Sequence, residues 1–177
     1  MKKLLLNSTS IAIYTSLIII LFRLVSDTFN WNGPERVYAP MFGVVISAFL
    51  GLRALRKEAP QNDLTFFMEI RATMRPAAIF SLIYSAFIYV FYRFINPSLF
   101  PEMVAEREAE FLAQFELNNT PAKEADKVLA NFHEFADFFF APLNWSTITL
   151  FGLIMLTGVY GFLLTVAARK FPKMMIN

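Results

Sequence analysis

The chain has 177 residues, of which 56% are hydrophobic and 17% are charged, and its formal net charge at pH 7 is +2. An ordinary soluble domain has about 25% charged residues, so this composition excludes a typical soluble protein and predicts an integral membrane protein. The chain has no cysteine, which excludes disulfides, thiol chemistry and cysteine-based metal sites. The small net charge gives no reason to expect nucleic acid as a partner.

Four long apolar runs divide the sequence, at about 7–25, 37–55, 77–95 and 145–168. Each is about as long as the roughly 17–25 residues that an α-helix needs to cross a bilayer. We therefore predict an all-α fold, a four-helix transmembrane bundle in which residues 1–177 form a single integral membrane domain.

The first run follows Lys2 and Lys3, as the apolar core of a signal peptide would. The run is longer than such a core typically is, and no convincing small-residue cleavage site follows it. We therefore expect this segment to be retained as the first membrane helix.

Small residues recur at four-residue spacing in each run, which lets helix backbones approach closely inside a membrane. We interpret them as packing residues rather than as the lining of a pore. The predicted packing residues are Gly43, Ser47, Gly51, Ser81, Ser85 and Gly161, and the same spacing includes Ser8, Ala12, Ser16, Ala77, Thr157 and Thr165.

The connection between the second and third runs has an amphipathic pattern. Phe67, Ile70 and Met74 fall on one helical face, and Arg71 and Arg75 lie beside it. This pattern predicts a short helix in the headgroup layer whose basic side chains face anionic lipid. The alternative is a solvated linker.

The connection between the third and fourth runs holds nine acidic residues and three basic ones. Two amphipathic helical patterns, separated by the turn sequence Asn118–Pro121, predict a helical hairpin at about 98–141. Its apolar faces need cover from each other, the mouth of the bundle, the bilayer surface or a partner. We expect docking on the bundle or on a partner through Phe111, Phe115, Phe132, Phe135 and Phe139, with Arg23 and Arg93 as anchors. Both arginines alternatively snorkel to the membrane interface.

Lys and Arg are shared unevenly between the two sides of the membrane. With four spans, ten lie at the termini and in the second connection, and six lie on the other side. Because cytoplasmic segments carry the excess of basic residues, both termini are predicted to be cytoplasmic and the hairpin extracytoplasmic.

This topology can be checked with reporter fusions. A reporter fused after Asn177 should report the cytoplasm, and one inserted within Asn118–Thr120 should report the opposite side. Signals from the same side would contradict four spans with cytoplasmic termini.

Residues with catalytic or metal-binding chemistry are few. His133 is the only histidine, and with Glu134 and Asp137 it is a conceivable metal site, although a solvated histidine or one paired with its i+4 acid is the preferred interpretation. The predicted spans contain no Asp, Glu, Lys or His, which argues against an ion-coupled transporter. We predict no catalytic residue, no metal and no cofactor, and hence no enzyme.

The third run ends in Tyr92-Arg93-Phe94-Ile95-Asn96-Pro97, and Asp63-Leu64-Thr65-Phe66-Phe67 precedes it. Together with the helix count and loop lengths, these segments resemble a bacterial family of small four-helix membrane proteins known only as domain of unknown function 4199. The resemblance covers nearly the whole chain and implies a location in the bacterial inner membrane. It implies no activity and assigns no functional residues.

Two functions agree with these features. The first is a structural or interaction subunit, a scaffold that presents the acidic hairpin to a partner. The alternative is a component of a small-solute transporter or channel, as an oligomer, whereas a lipid-modifying enzyme would need an acid–base pair that the interface lacks. The expected partners are the lipid bilayer and another membrane or periplasmic protein, not nucleic acid, and the oligomeric state stays open.

Overall fold

The computed structural model describes residues 2–29, 31, 33–59 and 64–171, with side chains from Asn7 onward. Within these residues the chain forms six α-helices, and a π-helical turn continues the third. The elements are α1 (Lys2–Thr28), α2 (Glu35–Glu58), α3 (Phe66–Val90), the π-helical turn (Phe91–Ile95), α4 (Leu99–Leu117), α5 (Ala122–Phe139) and α6 (Pro142–Lys170). The all-α class is therefore confirmed.

Four of the described helices are long and apolar enough to cross a membrane: Asn7–Thr28, Glu35–Glu58, Phe66–Ile95 and Pro142–Lys170. At most 39% of the apolar window of each is buried inside the protein. Most of each helix surface therefore faces outward, as expected of helices that lipid surrounds. This supports the prediction of a membrane protein, while the exact arrangement as a four-helix transmembrane bundle stays a prediction.

The third span begins earlier than the sequence analysis predicted. α3 starts at Phe66 and continues through Pro76, so the segment predicted to lie in the headgroup layer as a separate helix forms the first turns of a continuous one. As a consequence Glu69 lies in the helix of the third candidate span, before the predicted run 77–95, which contains no acidic residue. The carbonyl that Pro76 leaves without its usual helical N–H donor, that of Ala72, lies close to Gly51 of α2.

Small residues face inward in the spanning helices, and large apolar residues face outward. All twelve residues at four-residue spacing are buried. On α1, for example, Ser16 is buried whereas Leu17 and Ile18 are more than half exposed. This is the reverse of the size distribution in a soluble core, and it allows close backbone approach without a hydrophobic driving force.

The chain divides into two compact units, residues 1–85 with 149–177, and residues 86–148. In the first unit α3 contacts both α2 and α6. The ring of Phe80 lies against Gly43 of α2, and the Thr73 hydroxyl donates to the Gly161 carbonyl of α6 at 3.3 Å. The second unit contains the α4–α5 hairpin.

Candidate functional site

The hairpin turn follows from local sequence chemistry. Asn119 adopts a left-handed conformation with φ of 49°, which asparagine tolerates better than other non-glycine residues. The amide of Thr120 donates to the Phe115 carbonyl at 2.9 Å and that of Asn119 donates to the Glu116 carbonyl at 3.3 Å. These two bonds form a Schellman motif that ends α4. Pro121, the last residue of the predicted turn sequence, lies one residue before the start of α5.

Three of the predicted docking residues fill the interior of the hairpin itself. The rings of Phe111 on α4 and Phe132 on α5 meet edge to face with centroids 5.2 Å apart, and Phe115 stacks on Phe111. Ala136 of α5 is almost fully buried. These phenylalanines therefore stabilise the α4–α5 pair, and their role in docking on the bundle or on a partner stays a prediction.

A second set of apolar residues on α5 is exposed. Phe135 and Phe138 are 52% and 60% exposed, and Val128 lies two turns before Phe135 on the same side. Phe135 stacks on the half-buried ring of Phe139 at a centroid distance of 4.2 Å, which limits its motion. We call Val128, Phe135 and Phe138 the α5 apolar strip.

An aromatic cluster anchors the base of the hairpin. The ring of Phe100 stacks on Tyr92 at 4.2 Å, and its centroid lies 5.4 Å from Phe140 and 5.7 Å from Trp145. These four rings join the π-helical turn, α4 and the residues on either side of the α5–α6 connection. Because aromatic pairs of this kind stabilise beyond their buried area, the base is a rigid support for the strip.

Beside this cluster, α4 and α5 border an open cleft of about 420 Å³. Its lining includes the apolar residues Phe100, Val104 and Phe140 and the acidic residues Glu108 and Asp137. The cleft thus combines apolar surface with negative charge.

The single histidine lies close to Glu108, one of the residues that line the cleft. His133 Nε2 is 3.4 Å from Glu108 Oε1 of α4, so its neighbour comes from across the hairpin and not from the i+4 position considered in the sequence analysis. Among the described residues, no group of three or more His, Cys, Asp and Glu side chains is arranged to hold a metal ion.

The two predicted anchors lie in different surroundings. Arg93 is exposed in the π-helical turn, whereas Arg23 is buried in α1. Arg23 belongs to the first unit and Arg93 to the second. Their anchoring of the hairpin stays a prediction.

A cluster of three charged side chains, two of them buried, lies in the first unit and was missed by the sequence analysis. The side chains of Glu69 of α3 and Arg56 of α2 are only 3% and 4% exposed, and Arg56 Nη2 lies 2.6 Å from Glu69 Oε1. The Nε of Arg56 donates to the same oxygen at 2.9 Å, and Arg169 of α6 donates from its Nε to Glu69 Oε2. The cluster therefore links three of the four candidate spans.

Backbone carbonyls complete this Arg–Glu–Arg cluster. Arg56 Nη1 donates to the Ala168 carbonyl at 2.9 Å, and Arg169 Nη2 donates to the Leu64 carbonyl at 3.0 Å. The guanidinium of Arg169 also lies 5.4 Å from the centre of the Phe66 ring. Both carboxylate oxygens of Glu69 accept hydrogen bonds from the arginines. The cluster therefore fixes the ends of the helices and leaves neither oxygen available as an acid or base.

Comparisons with known proteins identify a family but give no activity. A family model described as "Protein of unknown function (DUF4199)" matches residues 6–168. No curated protein and no solved structure matches the chain significantly.

Proposed function

We propose that the chain, which belongs to the DUF4199 family of proteins of unknown function, is an interaction subunit or scaffold of the bacterial inner membrane that presents an acidic extracytoplasmic hairpin to a partner. The observation that carries this proposal is the exposed α5 apolar strip on a rigid, formed hairpin. Apolar side chains that are exposed together on one face of a folded helix can form an interaction site.

The charge of the hairpin favours a protein partner over the bilayer surface. Nine acidic residues against three basic ones repel anionic headgroups, whereas they attract a basic protein surface and speed its association. The partner that fits best has an apolar pocket for the phenylalanines and a basic rim around it. Phenylalanines that are already held in place by stacking bind at a lower entropic cost than mobile ones.

The Arg–Glu–Arg cluster also fits the proposed function, because a subunit anchored in the membrane needs spanning helices that are held together. Its charges pair with each other and with backbone carbonyls, which supports a junction that holds α2, α3 and α6 together. An ion-coupled carrier would instead need an intramembrane carboxylate that can exchange its partner.

The alternative, a small-solute transporter or channel component, is favoured by one observation. The hydroxyls of Ser16, Ser47 and Ser85 are buried without a hydrogen-bond partner in the described part of the chain, and they come from three different spans. Flux of a small polar solute into liposomes, lost on replacing these serines with alanine, would favour this function instead.

The proposed interaction predicts the effect of changing the apolar strip. Phe135→Asp with Phe138→Asp should abolish co-purification of a stoichiometric partner from native membranes in mild detergent. Burying each Phe contributes about 1.5–3 kcal/mol, so the loss of both corresponds to about a hundredfold or more in affinity.

The matched control places the same charges elsewhere on the hairpin. Leu112 and Leu117 of α4 are also exposed, and Leu112→Asp with Leu117→Asp should retain the partner. Circular dichroism should show equal helix content in both variants. Retention of the partner by both variants, or its loss from both, would contradict the proposed surface.

A further inference from the structure

A groove of about 630 Å³ lies along the first turns of α3, in the first unit. Its apolar lining is Phe67, Ile70, Met74 and Ala78, and it also includes Arg71 and Arg75. We propose that this groove is a binding site for one anionic phospholipid of the surrounding bilayer. The phosphate lies between the two guanidinium groups, and an acyl chain lies along the apolar lining.

The position of the groove along α3 matches the edge of the hydrocarbon. From Pro76 to Tyr92 the helix carries no charged residue, and about 17 residues at 1.5 Å each cover about 25 Å. A bilayer core is about 30 Å thick, so Arg75 lies at its boundary and Arg71 lies one turn farther out, among the headgroups. A lipid bound here has its phosphate at the level of the headgroups and its acyl chain in the hydrocarbon, as in the surrounding bilayer.

The arginines of the groove differ from those of the Arg–Glu–Arg cluster. Arg71 and Arg75 are exposed, and neither has an ion-pair partner in the described part of the chain, whereas Arg56 and Arg169 are paired with Glu69. Residues four apart on a helix present their side chains on one side. Two guanidinium groups so placed can donate several hydrogen bonds to one phosphate.

One apolar residue of the lining packs against a neighbouring helix. Met74 is half buried, and its side chain lies against Gly161 of α6, so the floor of the groove rests on a second helix. At the outer end Phe67 is 80% exposed. An aromatic ring at this level can lie beside the glycerol region of a bound lipid, as rings at membrane interfaces do.

Native mass spectrometry of the full chain in mild detergent tests the site, with phosphatidylglycerol or phosphatidylcholine of the same chains added. The parent protein should retain one phosphatidylglycerol, with at least tenfold less phosphatidylcholine. Arg71→Gln with Arg75→Gln should lower retention of phosphatidylglycerol at least tenfold. Ala78→Trp should do the same with both arginines in place, because the indole fills the path of the acyl chain.

A matched control distinguishes a specific lipid-binding site from a general attraction between anionic lipid and basic residues. Lys57 and Lys170 are exposed basic residues of the same unit, and Lys57→Gln with Lys170→Gln removes the same charge but should keep the lipid. Equal losses in the two glutamine pairs would overturn the proposal, as would equal retention of the two lipids by the parent protein. Arg71→Lys with Arg75→Lys, which keeps the charge, should restore part of the retention, and each variant should melt like the parent without added lipid.

Discussion

Replacing Glu69 with alanine should lower the free energy of unfolding by about 3–5 kcal/mol, since breaking a buried ion pair leaves an uncompensated charge. The side chain of Arg56, which is 4% exposed, would then lose its bonds to Glu69. Of its hydrogen bonds in the cluster, only the one to the Ala168 carbonyl would remain. Unfolding of the purified protein by titration with sodium dodecyl sulfate in mixed micelles measures this loss. The effect should be among the largest of any single substitution in the chain.

The three members of the cluster should not contribute equally. The side chain of Arg169 is 42% exposed, so water can solvate its partner more easily and Arg169→Ala should cost less than Glu69→Ala. Replacing Arg56 with Met and Glu69 with Leu together removes both buried charges and should cost less than either change alone. Strictly additive costs would contradict a coupled buried pair.

The cluster was missed because the start of α3 was placed too late in the sequence. Arg71 and Arg75 interrupt the apolar run and suggest that the membrane helix begins after them. A helix that spans a membrane can nevertheless begin well outside the hydrocarbon, where charged residues cost little. Apolar run length therefore predicts where a helix crosses the core and not where the helix begins.

The four-residue spacing of small residues contained the missing information. Extending the third stripe backward from Ala77 by four residues at a time gives Thr73 and then Glu69. Extending the fourth stripe forward from Thr165 gives Arg169 in the same way. An inward-facing stripe that ends in opposite charges on two helices predicts an ion pair between them, and the structure places that pair together.

The secondary structure of the hairpin could be predicted from the sequence, but the exposed part of its surface could not. Its turn and both helices follow from the Asn-Asn-Thr-Pro sequence and the apolar spacing. The sequence alone does not separate Phe132, which packs on Phe111, from Phe135, which is half exposed, because both lie in one broad apolar arc of α5. Which part of such an arc is covered depends on the crossing of α4, and periodicity does not report this crossing.

Glycine-to-alanine substitutions should change the free energy of unfolding in opposite directions at two positions of the spanning helices. A Cβ on Gly51 would clash with the Ala72 carbonyl oxygen, well inside the van der Waals contact distance of the two atoms, and would lie 2.6 Å from Pro76 Cγ. Because a backbone atom and a proline ring cannot move aside, Gly51→Ala should cost about 1–3 kcal/mol, and Gly51→Leu should cost more. A Cβ on Gly152 of α6 meets no atom within 4 Å.

The same substitution at Gly152 should therefore stabilise the protein by up to about 1 kcal/mol, since alanine favours a helix more than glycine does. Gly161→Ala should fall between these limits, because its Cβ would lie 2.9 Å from the flexible side chain of Met74. The detergent titration used for Glu69 measures all three variants under one condition. If alanine stabilised the protein at Gly51 as well as at Gly152, its better helix propensity would outweigh the contact, and the close approach of α2 to α3 would not require a glycine at position 51.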